Sequence, residues 1–168
     1  MDYQFALADA SELEQVYALI DRRIHWMDEM GIRQWNVTDY WGVYPREHYV
    51  EQMQCGRLYV LRRVPAGTVA GVAVLYETDG RWDGERDIPA YYVHHFAADV
   101  GEPGAGAILL NRLEEQARRD GKAALRLDCA THSVQLNRYY EEKGYVFKGT
   151  CVDGVYCGNL REKMFSEV

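Results

Sequence analysis

Two periods of apolar residues run along this chain and divide it into elements. Residues 3–8 alternate, with Tyr3, Phe5 and Leu7 on one side, as a half-buried strand does. Leu13, Val16, Tyr17, Ile20, Ile24 and Met27 then recur at helical spacing behind the capping box Ser11-x-x-Glu14, which predicts a helix closing near Gly31. The stretch from Ile32 to Trp41 is aromatic and shows neither period. Pro45 can open a short helix to about Gln54, with Gly56 as its stop. Residues 57–63 and 69–76 read as a hairpin around Pro65-Ala66-Gly67. Thr78 to Pro89 is a polar loop, and 90–98 is an almost unbroken apolar run, the mark of a buried central strand.

The remainder alternates between the two element types. Residues 104–119 predict a helix with Leu109, Leu113 and Ala117 on one face and Gly121 as its end. Residues 123–129 predict a strand, parallel to 90–98 because a helix connects them. A helix over 133–143 closes at Gly144, and 145–151 with 155–163 form a last hairpin about Asp153-Gly154. A two-residue turn there sets Cys151 opposite Tyr156 and on the other face from Cys157. The class is therefore mixed α/β (α+β), in one domain over 1–168: a central, mostly antiparallel sheet flanked by helices.

Composition narrows the partners. The chain has 168 residues, 48% of them hydrophobic and 27% charged, as in an ordinary globular domain. The net charge of −7 argues against a nucleic-acid surface, which should be basic. An acidic cleft would draw in a cationic substrate such as an amine, although acidity also simply keeps a protein soluble. The first residues have no basic or long apolar segment of a secretory signal, and no run approaches a membrane span, so the expected location is cytoplasmic. Cys55, Cys129, Cys151 and Cys157 have no zinc-like spacing and are expected as reduced thiols, with no metal required.

The most informative chemistry lies in two segments roughly thirty residues apart. Gly104-Ala105-Gly106-Ala107-Ile108-Leu109-Leu110 follows the apolar run Tyr91-Tyr92-Val93-His94-His95-Phe96-Ala97-Ala98. A strand, a glycine turn and a helix N-terminus together suit a pyrophosphate: the first helical N–H groups lack partners, and glycine lets the phosphate close in. The second segment, Leu125-Arg126-Leu127-Asp128-Cys129, precedes Leu136-Asn137-Arg138-Tyr139-Tyr140-Glu141-Glu142-Lys143-Gly144-Tyr145. No Gly-x-Gly-x-x-Gly after an early strand and no Walker lysine is present, which disfavours a nucleotide-binding domain.

Together the two segments resemble the acyl-CoA-binding core of the GCN5-related N-acetyltransferase (GNAT) superfamily, in detail over 90–150. The resemblance implies an N-acetyltransferase. It would move an acetyl group from acetyl-CoA to the primary amine of a small molecule or peptide, by direct attack in a ternary complex. Acetyl-CoA would lie in the splay between the parallel strands 90–98 and 123–129. By the match to the family motif, Phe96 and Ala98 would pair with pantetheine, and the backbone of Gly104, Ala105, Gly106 and Ala107 would cradle the pyrophosphate. Gly101 stands where the family has Gln or Arg, the loop is shorter, and Glu102 and Pro103 are departures. Tyr140, four residues before Gly144, matches the tyrosine that protonates the leaving thiolate. Ser133 and Asn137 would face the cofactor on the same stripe; Ser133 alternatively caps its helix. A dimer is common in the family, which makes a homodimer an expectation here, with the last hairpin as a place for it.

The altered loop motivates an alternative, a non-catalytic acyl-CoA-binding or regulatory module on the same fold. The proton acceptor for the amine stays open among Glu77, Asp79, His94, His95 and Asp128, with adjacent His94 and His95 expected to face opposite ways. Cys129 suits a packed strand position better than a nucleophile. Trp35, Tyr40, Trp41 and Trp82 either line the acceptor pocket or form a satellite core.

Overall fold

The structure, a computed structural model, describes residues 2–166. Its Cα framework divides into two compact units, which among the described residues are 2–75 with 95–113 and 76–94 with 114–166. The first unit begins with β1 (Asp2–Leu7), which enters helix α1 (Leu13–Glu29) through a short 3-10 turn. Asp9, rather than Ser11, is the cap: its carboxylate accepts from Ser11 N–H, and Glu12 closes the box from the third position. The motif is thus shifted two residues from Ser11-x-x-Glu14, because Asp9 can satisfy the donors of the 3-10 turn that precedes α1. The aromatic stretch holds a 3-10 turn over 35–37 and a one-turn helix α2 (Tyr40–Val43). Pro45 caps α3 (Arg46–Gln54).

β2 (Leu58–Val64) pairs antiparallel with β1, from Asp2↔Val64 to Leu7↔Tyr59. It also pairs antiparallel with β3 (Val69–Tyr76), with a register shift at Leu61/Arg62. The core of this unit includes Val16, Leu19 and Ile20 of α1, the buried residues of β2 and β3, and Leu109, Leu110 and Leu113. Those three belong to α4 (Ala105–Arg119), whose first nine residues lie in this unit. Gly71 of β3 makes that packing possible. A Cβ there would come within 3.1 Å of the Leu109 side chain.

In the second unit, the start of β4 (Ala90–Ala98) runs parallel to β5 (Ala124–Ala130), from Ala90↔Ala124 to Tyr92↔Arg126. The paired residues run no further than Tyr92↔Arg126, while both strands continue. β5 pairs antiparallel with β7 (Tyr156–Met164), and β7 with β6 (Val146–Asp153). The resulting strand order is β1-β2-β3-β4-β5-β7-β6, with β4–β5 the parallel pair expected from the sequence. The last turn falls one residue later than Asp153-Gly154: Asp153 pairs with Tyr156, so Gly154 and Val155 form the turn and Cys151 lies opposite Gly158. Gly154, at φ +60°, fits the first left-handed position of such a turn, which shifts the register. The four cysteines are free thiols. Of the two roles open to Trp82, the structure gives it a core one: it is 3% exposed in the cluster with Tyr92, Ala124 and Leu160. The guanidinium of Arg126 lies 4.7 Å over its ring. Among the described residues no helix is long and apolar enough to cross a membrane.

Candidate active site

The first unit brings Phe96, Ala98 and Gly104–Ala107 together at the end of β4 and the start of α4. The chain between them makes two successive turns, Glu102 N–H to Asp99 carbonyl and Ala105 N–H to Glu102 carbonyl, both 3.1 Å. Gly104 sits at φ +86°, a conformation costly for L side chains, and a Cβ there would meet nothing within 4 Å. Gly106 differs: its Cβ would touch the Ala98 side chain at 3.7 Å, so its smallness serves strand–helix packing. The buried Ala105 spends its N–H on Glu102 and Ile108 donates to Gly104 carbonyl. Among the described residues, the N–H groups of Gly106 and Ala107 have no protein acceptor. The expected four-residue cradle therefore narrows to two donors beside one open glycine.

Glu102, a departure from the family's loop, brings a negative charge here. Arg63 bonds both Glu102 and Asp99, the latter at 2.9 Å. Tyr3 donates its hydroxyl to Glu102, and Arg22 reaches Asp99 at 3.1 Å. Hydrogen bonds from Tyr3 and Arg63 hold the Glu102 carboxyl below its ordinary pKa. Burial pushes Asp99 upward, but Arg22 and Arg63 outweigh it and hold that carboxyl low as well. Arg23 donates to the Ala98 carbonyl at 2.6 and 3.1 Å, so that oxygen is engaged and any pantetheine contact at Ala98 falls to its N–H. Three guanidiniums thus stand against two carboxylates around the loop. The sequence signal was the pairing Arg22-Arg23 on a helix and Arg63 at a strand end, both unremarkable until folded.

The second unit holds Ser133, Asn137 and Tyr140 on α5 (Val134–Glu142). Ser133 is the N-cap, its hydroxyl accepting from Leu136 N–H at 3.4 Å. The Asn137 side chain is engaged by the protein itself. Its amide N–H groups go to the carbonyls of Ala130 and Ser133, and its oxygen accepts from Asn159 and Arg161 at 2.8 to 3.0 Å. Every polar atom is spent on tying α5 to the sheet, which the helical stripe with Tyr140 did not foretell. Tyr140 is buried, its ring edge-on to Tyr139 and Tyr145. Burial drives the phenol pKa well above 10. Among the described residues its hydroxyl has no hydrogen-bond partner, yet it is not among the atoms sealed from solvent. Cys129 is buried with its thiol pushed up to about 11 by burial, so it stays protonated at neutral pH.

The base candidates separate. In the second unit His94 Nε2 lies 2.6 Å from Asp79. Burial raises the Asp79 pKa, but the hydrogen bond and charge of His94 more than reverse it. Asp128 accepts from Tyr156 at 2.5 Å and from Arg81 at 3.2 and 3.3 Å. Asp79, His94 and Asp128 are the one set among the described residues whose donor atoms converge as metal ligands would. The Arg81 guanidinium already supplies the positive charge there. Glu77 pairs with Lys122 at 3.1 Å. In the first unit, His95 carries φ +54° and bonds Tyr40 at 2.8 Å, within a cluster of Trp35, Tyr40, Trp41, Tyr44, Tyr49 and His48.

The strand order and the glycine turn opening α4 define the fold of the GNAT acetyltransferases. No family model matches the sequence, and no curated protein does. The solved structures carry the comparison. The chain is similar to a GNAT-family acetyltransferase from Listeria monocytogenes 4b F2365 at 22% identity and TM-score 0.78, covering 97% of this chain and 95% of that one. A GNAT-family acetyltransferase from Streptococcus agalactiae 2603 gives 18% identity and TM-score 0.79 over 98% and 96%. The PaiA N-acetyltransferase from Thermoplasma acidophilum, solved with coenzyme A, gives 15% and 0.72 over 98% and 100%.

Proposed function

We propose that the chain is an acyltransferase that moves an acetyl group from acetyl-CoA to a primary amine by direct attack. The observation that carries this reading is the start of α4, where two unpaired N–H donors and an open, left-handed Gly104 stand ready for an anion. Arg22 and Arg63 support it by neutralising the loop's own carboxylates. The structural neighbours support it too, since one of them was solved with coenzyme A.

Roles follow from the chemistry of each group. Gly106 and Ala107 N–H would hold the pyrophosphate, and the backbone of Phe96 and the N–H of Ala98 would meet pantetheine. A strand N–H at that point also suits the oxyanion of the tetrahedral intermediate. Tyr140 would give its proton to the departing thiolate. A phenol held above its ordinary pKa keeps that proton at neutral pH. The amine nitrogen bonds the carbonyl carbon, the carbon–sulfur bond breaks, and the amine's proton leaves to a base.

Calorimetric titration with acetyl-CoA, with NAD and ATP as controls, tests the cofactor. Micromolar binding of acetyl-CoA alone supports the reading, and release of CoA thiol with an amine panel completes it. Binding without turnover on any amine would leave the non-catalytic module instead. No binding at all would sink both.

A further inference from the structure

We propose that His95 and His48 form a proton-sharing pair that takes the proton from the attacking amine and passes it to solvent. This rests on the acetyl-transfer reading above.

The geometry lies wholly within the first unit. His95 Nε2 and His48 Nε2 face each other at 3.2 Å, and His95 Nδ1 lies 2.8 Å from the Tyr40 hydroxyl. Tyr40 in turn shares a short hydrogen bond with Tyr49. The four groups form a continuous chain, Tyr49–Tyr40–His95–His48. It runs from a fully buried phenol to a half-buried imidazole on α3. Tyr44 packs edge-on against His95 at 4.5 Å and also contacts His48 at 5.3 Å, which fixes both rings.

Hydrogen counting gives the pair its property. Between two facing ring nitrogens there is room for one hydrogen, so one imidazole donates and the other accepts. A second proton on the pair would place like charges in contact, which is disfavoured. One added proton is accommodated. A hydroxyl can turn from donor to acceptor, so Tyr40 can accept from a protonated His95 Nδ1 while Tyr49 turns with it. The unit is therefore built to gain a single proton and lose it again.

Its position suits the amine. His95 immediately precedes Phe96, whose backbone is assigned to the thioester end of the cofactor. It is also the one described non-glycine residue with positive φ, at +54°. Such strain persists only where surrounding contacts over-determine it, and here four aromatic rings do so. The groups facing the pair include the phenols of Tyr40, Tyr44 and Tyr49. On α3, Arg46, Glu47 and Glu51 flank His48 in sequence and are exposed, with Arg46 3.7 Å from Glu14.

The test is the pH–rate profile of CoA release from acetyl-CoA with benzylamine, which is protonated at neutral pH, and with methoxyamine, which is not. His95→Asn keeps a residue tolerant of the left-handed backbone but removes the titrating ring. It should lower turnover with benzylamine by ~10²-fold and abolish the acid limb between about pH 5 and 8. With methoxyamine the loss should be much smaller, and acetyl-CoA affinity should be unchanged. His48→Gln should shift the limb without removing it. A folded His95→Asn with the wild-type profile overturns the proposal, as does loss of the limb in His94→Gln alone. If neither amine is a substrate, NMR titration of the imidazoles decides: one proton taken up by the pair supports it, and two independent titrations overturn it. Failure of the acetyl-transfer reading shows separately, as absent acetyl-CoA binding to the unaltered chain.

Discussion

At the scale of single residues, Tyr140 and Asn137 show how the same helix can carry opposite fates. Both lie on α5, three residues apart, Tyr140 buried and Asn137 half-buried. Asn137 has every donor and acceptor filled, whereas the Tyr140 hydroxyl has none of its own among the described residues. A polar tip with no protein partner adds nothing to the stability of the fold and is left for something else, such as a ligand, to meet. Tyr140→Phe should therefore fold at least as well as the unaltered chain. It should bind acetyl-CoA with the same Kd and turn over about 10²-fold more slowly. Because burial raises the phenol pKa, Tyr140 should contribute no alkaline fall in rate below about pH 10. Stopped-flow measurement of thiol release alongside calorimetry checks both halves. An unaltered rate would remove Tyr140 from the chemistry.

At the scale of elements, the strand 90–98 and its successors were legible because their apolar runs are long and bounded by glycine. Val69–Tyr76 and Ala90–Ala98 match the expected bounds. The cap of α1 was missed because Asp9 and Ser11 both offer an oxygen at a helix start, and only the 3-10 turn between them decides. The network around the loop was invisible for a different reason. Arg63 on β2 and Glu102 are thirty-nine residues apart in the chain, and no local pattern links them. Likewise, the spacing of Asn137 to Tyr140 carries no sign of its hydrogen bonds to Asn159 and Arg161, which come from a strand that folds back later. The loop-to-helix element supports a paired prediction. Gly106→Ala makes ordinary contact with Ala98 and favours helix by up to ~1 kcal/mol, so stability and acetyl-CoA affinity should both hold. Gly104→Asn, which tolerates φ +86°, puts its side chain into the open space before α4 and should weaken acetyl-CoA at least 10-fold. Thermal melts confirm folding, and unweakened binding to a folded Gly104→Asn would move the cradle elsewhere.

At the scale of the whole molecule, an acidic chain of net charge −7 depends on where its carboxylates find cations. Asp79 and Asp99, both largely buried, are held below their ordinary pKa despite the opposing effect of burial. Glu102 is also held low, by Tyr3 and then Arg63. A carboxyl depressed in the folded state stabilises above its unfolded pKa, about 4, and that stability is lost as pH falls through the folded value. Urea midpoints should therefore stay nearly level from pH 7 to 5 and drop steeply below about pH 4. Arg63→Ala isolates the share owed to the loop, since it leaves Asp99 only Arg22 and Glu102 only Tyr3. The variant should be less stable at pH 7, and the gap to the unaltered chain should close toward pH 3 as both carboxyls protonate. A gap that stays constant with pH would mean that Arg63 acts through packing of its stem, and that the two carboxylates beside the start of α4 do not need its charge.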